Sequence, residues 1–163
     1  MVGREAPLAT HLLDVNVVIA LAWPLHMHHA IAHAWFERVG HKSWSTCPLT
    51  QLAFVRISSN PKIISAAVSP RAAVNALGEM VGLAGHVFWP DDLPVNDLSS
   101  FTSKALVGHR QVTDAYLIEL AKRHNGKLAT LDGGLADLLP IAERDAYVSY
   151  IGPAATAGHG RIA

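Results

Sequence analysis

With a single cysteine, Cys47, among 163 residues, the chain has no internal disulfide to draw on, and a reducing cytosol suits it. Cys47 stands beside Pro48 with no evident activating partner, so the role expected of it is that of a small buried hydrophobe. No apolar run reaches the roughly 18 residues that a membrane-spanning helix needs. The most apolar N-terminal window is broken by Asp14 and Asn16 and does not read as the core of a secretory signal. An excess of charge is missing too, since 13 Lys and Arg balance 13 Asp and Glu. Neutrality argues against gripping long nucleic acid by bulk electrostatics. It leaves room for delivering a cation and a few local charges to one phosphate. Ten histidines add positive charge below neutral pH.

What is present is a globular composition. Half of the residues are hydrophobic and mean hydropathy is positive, in a chain of a length suited to one domain with one core. Residues 1–9 show no periodicity and are expected to be flexible; residues 10–151 form the domain; residues 152–163 read as a mobile tail. A strand at about 10–13 is followed by a helix from Asn16 to Ala22, then by a second from Leu25 to Val39 with Ala30, Ile31, Ala34, Trp35 and Val39 on one side. SWSTC reads as a strand, and Pro48 opens a helix to about Ser58 that Asn60-Pro61 breaks. Ser69 caps the next helix, His86 to Trp89 is a strand closed by Pro90, and Ser99 or Asp97 caps a helix through Leu106. Gly108-His109-Arg110 is read as a loop and Ala146 to Ile151 as the last strand. This alternation predicts an α/β domain: a mainly parallel sheet of about five strands with helices on both faces.

The most informative stretch is Gln111 to Gly134, QVTDAYLIELAKRHNGKLATLDGG. Thr113 reads as an N-cap with Asp114 in the first turn. Leu117, Leu120 and Ala121 share a face, and Glu119, Lys122 and Arg123 take the opposite one. Asn125-Gly126 stops the helix where a left-handed residue is cheapest, and Lys127 to Leu131 is a strand ending in Asp132. A helix of that length spans about 16–18 Å, and the strand covers roughly the same distance. Running antiparallel across a tight turn, they bring Asp114 and Asp132 level at one rim. Asp14, which ends the first strand, falls on that same carboxyl edge, where sites form in open α/β sheets. Three carboxylates so close repel unless a proton or a cation intervenes. A hard divalent ion with oxygen ligands is the natural resolution. Singly, each acid has a plainer job: Asp114 stabilising a helix N-terminus, Asp132 forming a turn, Asp14 capping the next helix. Their convergence favours a site.

LLDVNVVIAL, TDAYLIELA and LATLD, with PLTQLAFVRISSNP between the first two, resemble the acidic blocks of PIN-domain ribonucleases, most closely VapC-type toxins of bacterial toxin–antitoxin pairs. The resemblance covers roughly residues 10–150. It implies a PIN-like fold and a Mg²⁺-dependent endoribonuclease (Mn²⁺ as a possible substitute) with Asp14, Asp114 and Asp132 as metal ligands and catalytic residues. It further implies cleavage of a structured RNA such as tRNA or rRNA to 5′-phosphate and 3′-hydroxyl ends. A VapB-like antitoxin docking among the N-terminal helices, homodimerisation and a cytoplasmic location are part of the same expectation. PIN nucleases generally carry a glutamate where this chain has Gln51. A glutamine can still ligate through its carbonyl oxygen, but one negative charge is lost, so Gln51 is read as an auxiliary catalytic group or else a solvent-facing residue.

Around these, Asn16, Arg56, His109, Arg110, Thr113 and Thr130 are candidate substrate contacts, each with a plainer alternative: a turn, a solvated cation or a helix cap. Asp91 and Asp92, after what reads as a central strand, are expected to form a turn. His26, His28, His29 and His33 invite a zinc reading, but without HExxH or cysteine a polar helix face is favoured. Two further hypotheses stand beside the nuclease. One is a PIN-fold module that binds RNA or antitoxin without cutting, motivated by Gln51. The other is an Asp-nucleophile phosphatase or receiver, which fits poorly because Asp14-Val15-Asn16 is not DxD.

Overall fold

In the computed structural model, which describes residues 8–154, the chain is built around β1 (His11–Leu13), a short strand buried along its whole length. Neighbouring side chains on a strand point to opposite faces. Accordingly, Leu12 joins a core cluster with Leu117, Ile118 and Leu128, while Leu13 joins a second with Val17, Trp35 and Phe54. A central strand buried on both faces is what a helix-covered parallel sheet requires. The sheet has five strands in the order β3-β2-β1-β4-β5, where β2 is Trp44–Thr46, β3 His86–Phe88, β4 Lys127–Thr130 and β5 Val148–Tyr150. Every neighbouring pair is parallel.

The second cluster is supplied by α1 (Val15–Ala22), α2 (His29–Arg38), α3 (Pro48–Ser58) and α4 (Pro70–Val81). The first is supplied chiefly by α6 (Val112–Arg123), with α5 (Ser100–Ala105) and α7 (Ile141–Tyr147) against it. The α6–β4 turn shows why Asn-Gly stands there. Asn125 takes a left-handed φ of 53°, and a Cβ on Gly126 would lie 2.5 Å from the Thr10 carbonyl oxygen. That tight reversal is what returns the chain to the rim where α6 began.

Several expectations need correction. α6 starts at Val112 with Gln111 at its N-cap, so Thr113 is not the cap. The preceding His109–Gln111 is a 3-10 turn that runs into α6, not a loop; the Gln111 side chain accepts from the main-chain N–H of Val107 and Gly108 and closes it. α2 begins only at His29, and its buried residues are Ala32 and Trp35, with Ala30 and Ala34 exposed. β3 is an edge strand, not a central one, and Val87 and Phe88 are half exposed. Ala146 and Tyr147 belong to α7, whose IAERDAY has no apolar period to announce a helix. Glu119 is buried, not on a solvent face: it accepts from Ser99 Oγ at 2.8 Å and Thr102 Oγ1 at 2.6 Å and so holds α5 onto α6. The flexible ends expected at residues 1–9 and 152–163 lie largely outside the described residues.

Candidate active site

The carboxyl edge of the sheet gathers its acids around one hydroxyl. Thr130, the fully buried last residue of β4, donates from Oγ1 to Asp14 Oδ2 at 2.7 Å. The same oxygen accepts from the Asp132 main-chain N–H at 3.0 Å and from Asn16 Nδ2 at 3.3 Å. Asn16 Oδ1 takes the Leu131 N–H at 3.1 Å. Asn16 and Thr130 therefore lace the ends of β1 and β4 together, and this positioning work occupies their polar atoms. A β-branched residue ending a strand beside a central one is well placed for such a clamp.

Asp14 is 5% exposed. It occupies the N-cap position of α1 but makes no side-chain cap bond, so capping does not explain it. Burial pushes its carboxyl pKa up, against the hydrogen bonds that stabilise the anion, and the charge of Asp132 raises it further. Asp114, in the first turn of α6, is pushed up to about 6 by burial, then by the charges of Asp14 and Asp132. The charges of Asp14 and Asp132 thus both act on Asp114, and that of Asp132 acts on Asp14 as well. Asp132 is exposed and combines this with a turn role, its Oδ1 accepting from the Gly134 N–H at 2.9 Å. Among the described residues, none of the three forms an ion pair with Lys, Arg or His. Nor does any group of three or more His, Cys, Asp or Glu side chains stand as a ready-made metal cage among them. Oxygen-only donors carrying uncompensated negative charge suit a hard cation that keeps several of its waters, held by one or two carboxylates at a time.

The other candidates are distributed differently. Gln51, in the first turns of α3, donates from Nε2 to Thr46 Oγ1 at 3.0 Å, and that hydroxyl lies 2.8 Å from His86 Nε2. Its amide N–H is thus turned toward the ends of β2 and β3. Arg56 is exposed and, five residues on, lies about 140° further round the helix than Gln51. His109, Arg110 and Thr113 are exposed at the entry to α6, directly before Asp114. Asp92 pairs with Arg123 and His124, each at 3.3 Å.

Two features had no clear signal in the sequence. Glu119 looked like a surface acid because its hydroxyl partners lie 17 and 20 residues away. His29 Nδ1 sits 2.7 Å from the Ala20 carbonyl oxygen and His33 Nε2 3.0 Å from that of Leu21. The two rings cap the last carbonyls of α1, which have no partner within their own helix, in place of the polar face expected. Cys47 is fully buried, its thiol pushed up to about 11 mainly by that burial, and behaves as the inert hydrophobe anticipated.

No family model matches the chain. Over 128 residues it is 48% identical to Ribonuclease VapC39 of Mycobacterium tuberculosis, spanning 78% of this chain and 92% of that protein. It is 42% identical over 127 residues to Ribonuclease VapC38 of the same organism, spanning 78% of this chain and 88% of the other. Among solved structures, FitAB bound to an IR36 DNA fragment superposes with a TM-score of 0.56 at 17% identity, over 91% of this chain and 99% of that one. At that identity the likeness speaks for the fold alone.

Proposed function

The chain belongs to the VapC family of PIN-domain ribonucleases, and from that premise we propose that it is a divalent-cation-dependent endoribonuclease toxin whose centre is Asp14, Asp114 and Asp132. The observation that supports this reading is that Asp14 and the Asp132 main chain meet on the Thr130 hydroxyl at the sheet edge, with Asp114 close enough to feel both carboxylates and none of the three in an ion pair among the described residues. The three side chains would hold Mg²⁺, or Mn²⁺ in its place, with Gln51 as a neutral auxiliary. When bound, the ion supplies Lewis-acid charge opposite the scissile phosphate and lowers the pKa of a water. The protein's own residues set the rest. Thr130 fixes the Asp14 carboxylate through its hydroxyl. Asp114 must release its proton before it can act as a ligand, and Asp132 presents an exposed carboxylate on the open side. Water oxygen attacks phosphorus in line and the bond to O3′ breaks, leaving a 5′-phosphate and a 3′-hydroxyl. His109, Arg110, Thr113 and Arg56 are assigned to the RNA as phosphate or sugar contacts; structured RNA such as tRNA or rRNA is the substrate class.

For the antitoxin partner we assign a cavity of about 480 Å³ at the C-terminal end of α1, walled by Ile19, Trp23, Leu25, Met27, Ile63 and Ile64. Leu25 and Met27 are 86% and 85% exposed, a form of apolar exposure that marks a protein-binding groove. A homodimer and a cytoplasmic setting complete the proposal; no helix of the described residues is long and apolar enough to cross a membrane.

The test is incubation of purified protein with total RNA, with Mg²⁺ and with chelator, mapping the ends produced. Cleavage that needs the ion and disappears in Asp14→Asn and Asp114→Asn supports the assignment; undiminished cleavage in either variant removes it. One observation favours a second reading, a PIN-fold module that binds without cutting: the Gln51 amide is engaged with Thr46 and brings no charge to the site. That module would give no cleavage and little Mn²⁺ binding.

A further inference from the structure

At the start of α6 lies a second cavity, of about 400 Å³, of whose lining the mechanism above uses only Thr113. It opens where the chain leaves β3 and enters α6. Leu93, Val95 and Val112 form its apolar walls, Tyr116 contributes from the next turn of α6, and Thr113 and Asp91 add polar atoms. Its place in the chain is telling. Thr113 lines the cavity and the next residue on α6 is Asp114, so the hollow opens on the same first turn of the helix that carries that acid. Asp91 is exposed and forms no ion pair among the described residues, its carboxylate reaching inward toward the buried Cys47 thiol and Tyr116. It differs in this from Asp92, which Arg123 and His124 engage. A carboxylate is acceptor-only, with two oxygens that take a pair of parallel donors.

We propose that this cavity is a base-recognition subsite selective for guanine next to the scissile phosphate, with Asp91 reading the base edge and Val95 and Val112 packing its faces. Among the four RNA bases only guanine sets two N–H donors side by side, N1–H and the N2 amino group. Adenine and cytosine pair one amino donor with a ring acceptor, and uracil flanks its single N–H with two carbonyls, so each of these turns a lone pair on the carboxylate. An apolar slot closed by one oriented polar group is the usual build of a small-ligand site. A site made to bond a specific polar edge rejects analogues lacking it far more strongly than a purely apolar pocket does. The assignment rests on the nuclease reading for its biological meaning, while the cavity can be probed without catalysis.

The experiment is binding of the four 5′-mononucleotides to the full chain with Mg²⁺ present, read from main-chain amide chemical shifts. GMP is expected to shift Val95, Val112 and Thr113 and to bind at least tenfold more tightly than AMP, CMP or UMP. Asp91→Ala is expected to abolish the preference, and Val95→Trp, at a 61% exposed position, to fill the cavity and abolish the shifts. Equal affinity for all four, or shifts confined to other residues, overturns the subsite. Cleavage of RNAs varied at one position beside the cut separates the two readings. If wild-type protein cuts without regard to guanine, the subsite is wrong and the nuclease stands. If GMP binds as described while no RNA is cut, the subsite stands and the nuclease reading falls.

Discussion

The Thr130 hydroxyl makes three contacts at once, to Asp14, Asp132 and Asn16, and each is short enough to matter. Replacing it by valine keeps the shape and leaves the buried Asp14 oxygen without its donor. An unsatisfied buried polar group costs about 1–3 kcal/mol, so Thr130→Val is expected to lose roughly that much in urea unfolding and at least tenfold in Mn²⁺ affinity. Unchanged affinity would reduce Thr130 to a packing residue. Asp114 gives a sharper signature. Its carboxyl titrates at about 6 in the fold against an ordinary 3.8, so between those values the native state holds a proton that the unfolded chain has released. The contribution of Asp114 to the stability of the metal-free protein is therefore present below about 4 and is lost as pH rises through about 6. Asp114→Asn should flatten that segment and be more stable than wild type at pH 7.5 in chelator. Added Mn²⁺ should invert the order, because the ion favours the ionised carboxylate. Cleavage activity should rise with pH over the same window.

At the scale of elements, the end of α1 is finished by another helix. His29 and His33 on α2 reach the Ala20 and Leu21 carbonyls, doing for α1 what a C-capping residue would otherwise do. Each bond contributes about 1 kcal/mol; His29→Ala and His33→Ala should each lower the melting temperature by roughly 2–4 °C. Neither should change Mn²⁺ binding at the acids, and wild type should show no zinc affinity that these variants lack. Glu119 plays the equivalent part for α5. Glu119→Ala removes the acceptor of the buried Thr102 hydroxyl, while Ser99 keeps its bond to Thr102, and is expected to cost about 1–3 kcal/mol, with opening of α5 seen first in amide exchange.

These elements also show what the sequence could reveal. Asp114, Asn125-Gly126 and Asp132 sit in one helix–turn–strand unit, where element lengths decide which residues end up level, so the placing of Asp114 in the first turn of α6 and of Asp132 just past the end of β4 was legible from spacing. The parallel sheet was legible for the same reason: LLD and KLAT are short apolar runs between periodic helices. Glu119 and the His29–His33 pair were not, because their partners lie in other helices and no local period records them. The start of α6 was missed where Thr113 outcompeted Gln111 as a cap on propensity, although a 3-10 turn had already committed the backbone one turn earlier.

At the scale of the molecule, the two cavities share no lining residue, and the proposed functions assign them to different partners. One is lined by Val112, Thr113 and Tyr116 of α6, the helix that carries Asp114; the other is the apolar groove at the C-terminal end of α1. Leu25→Asp and Met27→Asp alter groups that are almost wholly in water and should leave folding within about 0.5 kcal/mol of wild type. They are expected to weaken antitoxin binding at least tenfold, measured by calorimetry with the cognate partner, while Mn²⁺ binding is unaffected. Loss of Mn²⁺ binding in these variants would mean that the groove and the acids are coupled.

Whether Asp14, Asp114 and Asp132 share one ion decides the function proposed for this chain. Calorimetric titration of Mn²⁺ into the wild-type chain and its Asp14→Asn and Asp114→Asn variants at neutral pH measures this most directly. A saturable binding event in the wild type that is weakened at least tenfold in both variants is the predicted result; equal Mn²⁺ affinity in all three proteins would contradict it.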